Sequence, residues 1–140
     1  MFENCYSLTS INIPFMAGSS DWTYAEGMFK NCYGLTEFEI PLELYTSLET
    51  TKEMFSGCKN IKSINLQLTL TREIKDVSKM FYNCQNLNYV SIGNFQMMHV
   101  KYYEGFFEGV GKNITIVFNE NYTPENITEL IKNITSKVNI

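Results

Sequence analysis

The 140-residue chain is short of the groups most enzymes depend on. It has a single histidine, His99, and a single tryptophan. His99 stands alone in the variable stretch Phe95 to His99. No Ser-His-Asp, Cys-His or two-histidine metal arrangement can be assembled around it from residues that share a site. None of the eight glycines forms a phosphate-binding loop, and no basic run is present. Eleven Lys and Arg face fifteen Asp and Glu, for a net charge of -4, which disfavours nucleic-acid binding by phosphate neutralisation. No apolar stretch approaches the roughly 20 residues needed to cross a bilayer. The opening MFENCYSL lacks the basic start and apolar core of a signal peptide. These shortages point away from catalysis, cofactors and membrane insertion within this segment. The apolar fraction of 44% is nevertheless that of a folded chain, and the length suits one domain.

An internal repeat dominates what is present. Met1-Phe2-Glu3-Asn4-Cys5 returns as Met28-Phe29-Lys30-Asn31-Cys32, Met54-Phe55-Ser56-Gly57-Cys58 and Met80-Phe81-Tyr82-Asn83-Cys84, with a decayed copy at Phe106-Phe107-Glu108-Gly109-Val110. The spacings are 27, 26, 26 and 26 residues. Counting from the first residue of each pentapeptide, offset +10 carries Ile11, Phe38, Ile64, Val90 and Ile116, and offset +12 carries Ile13, Ile40, Leu66, Ile92 and Phe118. This alternation predicts one short half-buried strand per unit. Offsets -6, -3, 0, +1 and +4, as in Ile74, Val77, Met80, Phe81 and Cys84, fit one face of a helix. Asn or Gly at +3 suits a left-handed residue at its end.

The expected fold is therefore an α/β repeat solenoid. It is a leucine-rich-repeat-like, right-handed stack of about five helix–short parallel strand units, because a single unit cannot bury its own apolar face. Residues 119–140 read as a cap, with Asn121 or Thr123 able to start a helix, Pro124 in its first turn, and Ile127, Leu130, Ile131 and Ile134 at helical spacing. The whole chain, 1–140, reads as one domain. Met1 falls inside a unit, so the segment is expected to belong to a longer solenoid.

The MF-x-[NG]-C-x-x-[LI] pattern resembles the BspA-like leucine-rich repeat family from residue 1 to about 118. The resemblance implies no catalytic residues. It implies a surface or secreted protein that adheres to host components or neighbouring cells, with a protein or glycan partner. An intracellular protein–protein interaction scaffold is the alternative, because free cysteines and the lack of a visible signal segment fit it equally well.

Cys5, Cys32, Cys58 and Cys84 recur once per unit. They form a ladder rather than a cluster, and zinc commonly takes close C-x-x-C pairs. Equivalent side chains point the same way, which is poor disulfide geometry. They are expected to be buried free thiols without metal. The outward strand positions, +9 and +11, form the candidate partner-binding face: Glu37, Glu39, Ser63, Asn65, Tyr89 and Ser91, flanked by Ser10, Asn12, Thr115 and Val117. Four N-x-[ST] sequons, at Asn113, Asn121, Asn126 and Asn133, are expected from a content of fifteen asparagines.

Overall fold

The computed structural model describes residues 2–11, 24–40, 45–46, 48–66, 69–70, 74–93, 96–134 and 137–139. In chain order the elements are β1 (Glu37–Ile40), β2 (Tyr45–Thr46), β3 (Ser63–Leu66), β4 (Thr69–Leu70), β5 (Tyr89–Ser91), β6 (Thr115–Val117), a 3-10 turn (Glu120–Tyr122), α1 (Glu125–Ile134) and β7 (Lys137–Asn139). The main sheet runs β1-β3-β5-β6-β7 with every pairing parallel. Its register is the repeat itself: Phe38, Ile64, Val90 and Ile116 lie side by side and all four are buried. A second parallel ladder joins β2 to β4, and a third links Tyr24, Thr50, Asp76 and Tyr102 as single bridges. The predicted strands at units two to five are all present. Ile11 lies outside any strand, and its predicted partner Ile13 lies outside the described residues, as does Trp22.

The helix expected in every unit is not there. Among the described residues the sole α-helix is α1, in the C-terminal segment. In its place each unit has a ribbon of consecutive turns. In the third unit Met54, Ser56, Cys58 and Ile61 donate their N–H groups to the carbonyls three residues earlier. The intervening N–H groups of Thr51, Glu53, Phe55 and Gly57 donate instead to Asp76, Ser78, Met80 and Tyr82 of the next unit.

The reason lies in φ. Offset -1 is left-handed at Gly27, Glu53, Lys79 and Gly105, and offset +3 is left-handed at Asn4, Asn31, Gly57, Asn83 and Gly109. A left-handed residue every four positions breaks a right-handed helix and produces the i+2 residue of a type II turn. Backbone groups that a helix would satisfy internally are thus released to join neighbouring units. The left-handed residue expected at +3 is present, but it closes a turn and not a helix. Side-chain caps support the ribbon: Asp76 Oδ1 accepts from the Ser78 N–H at 2.8 Å, and Thr50 Oγ1 from the Lys52 N–H at 3.2 Å.

Inside the stack the apolar offsets coincide. Phe2, Phe29, Phe55 and Phe81 form a column of near-parallel rings with successive centroids 5.6, 5.5 and 6.0 Å apart, continued by Phe107 at 5.1 Å. Met28, Met54, Met80 and Phe106 pack beside it, also buried. Stacking equal units buries the apolar face that no unit could bury alone.

The C-terminal helix lies where expected, with Ile127 and Ile131 buried. Its start differs in detail. Asn121 falls within the 3-10 turn, and the Thr123 hydroxyl donates to the Asn119 carbonyl at 2.9 Å rather than capping α1. The chain then returns to the sheet as β7, parallel to β6, so the C-terminal segment is a strand–helix–strand crossover and not a helical cap alone.

Candidate binding face of the sheet

Strand alternation sends offsets +9 and +11 to the side of the sheet opposite the core. The register aligns Glu37, Ser63, Tyr89 and Thr115 in one row, and Glu39, Asn65, Ser91 and Val117 in the next. Glu37 and Glu39 are exposed, Ser63 and Asn65 are half-buried, and Tyr89 is 37% exposed. These five side chains line one shallow depression of about 340 Å³, together with Ser10, Ile11 and Phe38. The sixth predicted member, Ser91, is 8% exposed. It sits on an inner strand between Asn65 and Val117, and a short side chain there is covered by longer neighbours. Ser91 therefore does not belong to the accessible face. Ile11, read as a core position, does pack against the core, and because it is only half-buried it also lines the depression.

The depression is acidic and polar. Asn65 Nδ2 donates to Glu39 Oε1 at 3.4 Å, while Asn65 Oδ1 is buried without a hydrogen-bond partner. The two exposed carboxylates of β1, with the Tyr89 ring two strands away across Ser63 and Asn65, form a surface that accepts hydrogen bonds and favours cationic groups. His99 is exposed, on the stretch leading into the fifth unit. Among the described residues no group of three or more His, Cys, Asp or Glu could hold a metal ion.

The cysteine ladder lies on the core side. All four thiols are free, and Cys32, Cys58 and Cys84 are buried. Each donates across the stack, Cys32 Sγ to the Phe2 carbonyl at 3.1 Å, Cys58 to Phe29 at 3.0 Å and Cys84 to Phe55 at 3.1 Å. Burial pushes the Cys32 thiol up, the Cys58 thiol up to about 12, and Cys84 well above its ordinary range. The expectation of four buried thiols fails at Cys5, which is exposed. No described unit stacks on its outer side, so its sulfur lacks the partner unit that covers the other three.

With strands, turn ribbons and ladders in place, the repeat can be compared with known ones. The profile of the BspA type leucine rich repeat region matches residues 22–133 in six copies. The chain belongs to the BspA-type leucine-rich repeat family. The matched span holds four of the five pentapeptides, from the one at Met28 onward, and ends within α1. Neither curated proteins nor solved structures give a match. Leucine-rich repeats of this type are interaction modules, and no described helix is long and apolar enough to cross a membrane.

Proposed function

We propose that this BspA-type segment is a non-catalytic recognition module of a cell-surface or secreted protein, wound as a right-handed stack. It holds a protein or glycan partner on the depression formed by Glu37, Glu39, Ser63, Asn65 and Tyr89. The observation that carries this reading is the placement of two exposed carboxylates on β1 and a partly exposed tyrosine on β5 on one face of a parallel sheet, with Ser63 and Asn65 of β3 between them. Extended sheet faces of solenoids are where partners dock, and tyrosine is enriched among binding hot spots. The acidic pair favours a partner rich in basic or polar groups, selects against nucleic acid, and makes binding salt-sensitive. No cofactor or metal takes part.

The test begins with capture of partners from a host-cell extract and with a glycan array. Tyr89→Ala and Glu37→Lys are then expected to weaken the captured interaction while leaving the melting temperature nearly unchanged. If changes on the turn-ribbon side abolished binding and these two did not, the site would be misplaced. The second reading, an intracellular scaffold, draws on the four unbridged thiols; surface labelling of intact cells separates it from the first.

A further inference from the structure

In the interior of the stack every ribbon is joined to the next through four alternate N–H groups. Those of Thr51, Glu53, Phe55 and Gly57, for example, reach the carbonyls of Asp76, Ser78, Met80 and Tyr82 at 2.7–3.0 Å. The equivalent donors of the fifth ribbon are Tyr103, Gly105, Phe107 and Gly109. None of them has an acceptor among the described residues. Phe107 is buried as a residue, while Tyr103 and Gly105 are half-buried and Gly109 is exposed, and a row of backbone donors without acceptors is an edge able to pair with another chain. Helix α1 follows on this side, but it presents side chains rather than carbonyls. Leu130 and Ile134 face Phe106 and Phe107 across a mostly apolar crevice of about 330 Å³ along the same ribbon. Glu104 and Glu108 stand at the crevice, both exposed and without a cationic partner among the described residues.

We propose that this edge receives a peptide segment of a partner protein, one that offers alternate backbone carbonyls to the four N–H groups, an apolar side chain to the crevice, and lysine to Glu104 and Glu108. The unpaired donors ask for carbonyls, as exposed backbone edges do when they add a strand from another chain. The Phe106, Phe107, Leu130 and Ile134 walls ask for an apolar group. The two carboxylates choose a basic segment over an acidic one. This site lies on the turn-ribbon side and is independent of the sheet-face reading above.

The chain contains a segment with these properties. Residues 74–84 supply the carbonyls to the third ribbon and carry Val77, Lys75 and Lys79. A synthetic peptide of residues 74–84, with Cys84→Ser, is therefore the probe for the fifth ribbon of the full chain. Amide hydrogen exchange is read by NMR with and without it. Saturating peptide is expected to slow exchange at Tyr103, Gly105, Phe107 and Gly109 by about tenfold or more, and a scrambled peptide is not. The double change E104K/E108K is expected to weaken peptide affinity about fivefold while leaving the unfolding transition unchanged. Unaltered exchange at these four amides, or protection only along the β1 edge, would overturn the proposal. So would an affinity indifferent to E104K/E108K. Protection that rises with the protein's own concentration, without peptide, would assign the edge to a second copy instead and equally refute it.

Discussion

Lys79 offers a change whose sign distinguishes a turn ribbon from a helix. Its φ is +53°, and the equivalent residues of the second and fifth units are Gly27 and Gly105. Its ammonium lies 5.7 Å from the centroid of the Tyr82 ring. In the ribbon, left-handed backbone costs a non-glycine residue about 1–2 kcal/mol. Lys79→Gly removes that strain but adds unfolded-state freedom worth about 0.5–1 kcal/mol, and it loses an exposed cation–π contact of about 0.5 kcal/mol. Lys79→Ala loses the same contact and keeps the strain. Subtracting the two variants cancels the contact. The difference should favour glycine by about 0–1.5 kcal/mol. In a helix the same subtraction favours alanine by about 0.8–1.0 kcal/mol. Lys79→Asn should fall between glycine and alanine, since asparagine tolerates this conformation. Urea unfolding monitored by circular dichroism measures all three, with equal slopes expected because the buried area is unchanged. An alanine variant more stable than the glycine variant by about 1 kcal/mol would refute the ribbon.

Phe55 is fully buried between Phe29 and Phe81, with the Phe38 ring edge-on at 4.8 Å; Phe55→Ala and likewise Phe81→Ala should cost roughly 3–5 kcal/mol in denaturant titration, and Phe2→Ala, with a half-buried ring stacked on one neighbour, clearly less. A thiol reagent should label Cys5 in the native protein and spare Cys32, Cys58 and Cys84 until unfolding, which mass spectrometry of the labelled peptides will report. The Cys58 thiol, pushed up to about 12 by burial, stays neutral while an unfolded thiol ionises near 8.5; its stabilising contribution is complete below that pH and is lost as pH rises through the interval, so Cys58→Ala should flatten the alkaline limb of the stability curve. Lys30 Nζ lies 2.6 Å from Glu53 Oε2, and that hydrogen bond holds the Glu53 carboxyl below its ordinary range. The pair contributes above the unfolded carboxyl pKa and fades as pH falls through the lower folded value, so Lys30→Met should cost under about 1 kcal/mol at pH 7 and nothing once the carboxyl is protonated.

How much of this was legible in the sequence depends on which periodicity carried the information. Strand positions and their register were readable because alternation has period two and the units are nearly equal in length. Ile64 and Val90 could only fall beside each other once both were placed in strands. The misread helix has an equally definite cause. Offsets -3, 0, +1 and +4 are apolar in a ribbon of linked type II turns just as on a helix face, because both put every third or fourth residue on one side. The discriminating signal was the pair of small or amide residues four apart, Gly27 with Asn31 and Gly105 with Gly109, since a helix has no use for a left-handed residue in each turn. Glu53 and Lys79 concealed that signal: long charged side chains at offset -1 look like a helix surface, and only the hydrogen bonds to the neighbouring units fix their backbone there.

The candidate face shows the same division. Alternation placed Glu37, Glu39, Ser63, Asn65 and Tyr89 outward, and all five line one depression. Alternation decides only which side of the sheet a residue faces. Whether it reaches solvent depends on the length of its neighbours and its place within the sheet, which is why Ser91, equally outward by pattern, is covered. Cys5 is the converse case: it occupies a core position by pattern, yet it is exposed because core character in a stack comes from the adjoining unit and not from the residue. For a solenoid, then, sequence fixes direction and spacing, while exposure is a property of the stacked assembly. Residues at a boundary of the described stack, Cys5 at one end and the unpaired N–H row of Tyr103 to Gly109 at the other, are where the two diverge.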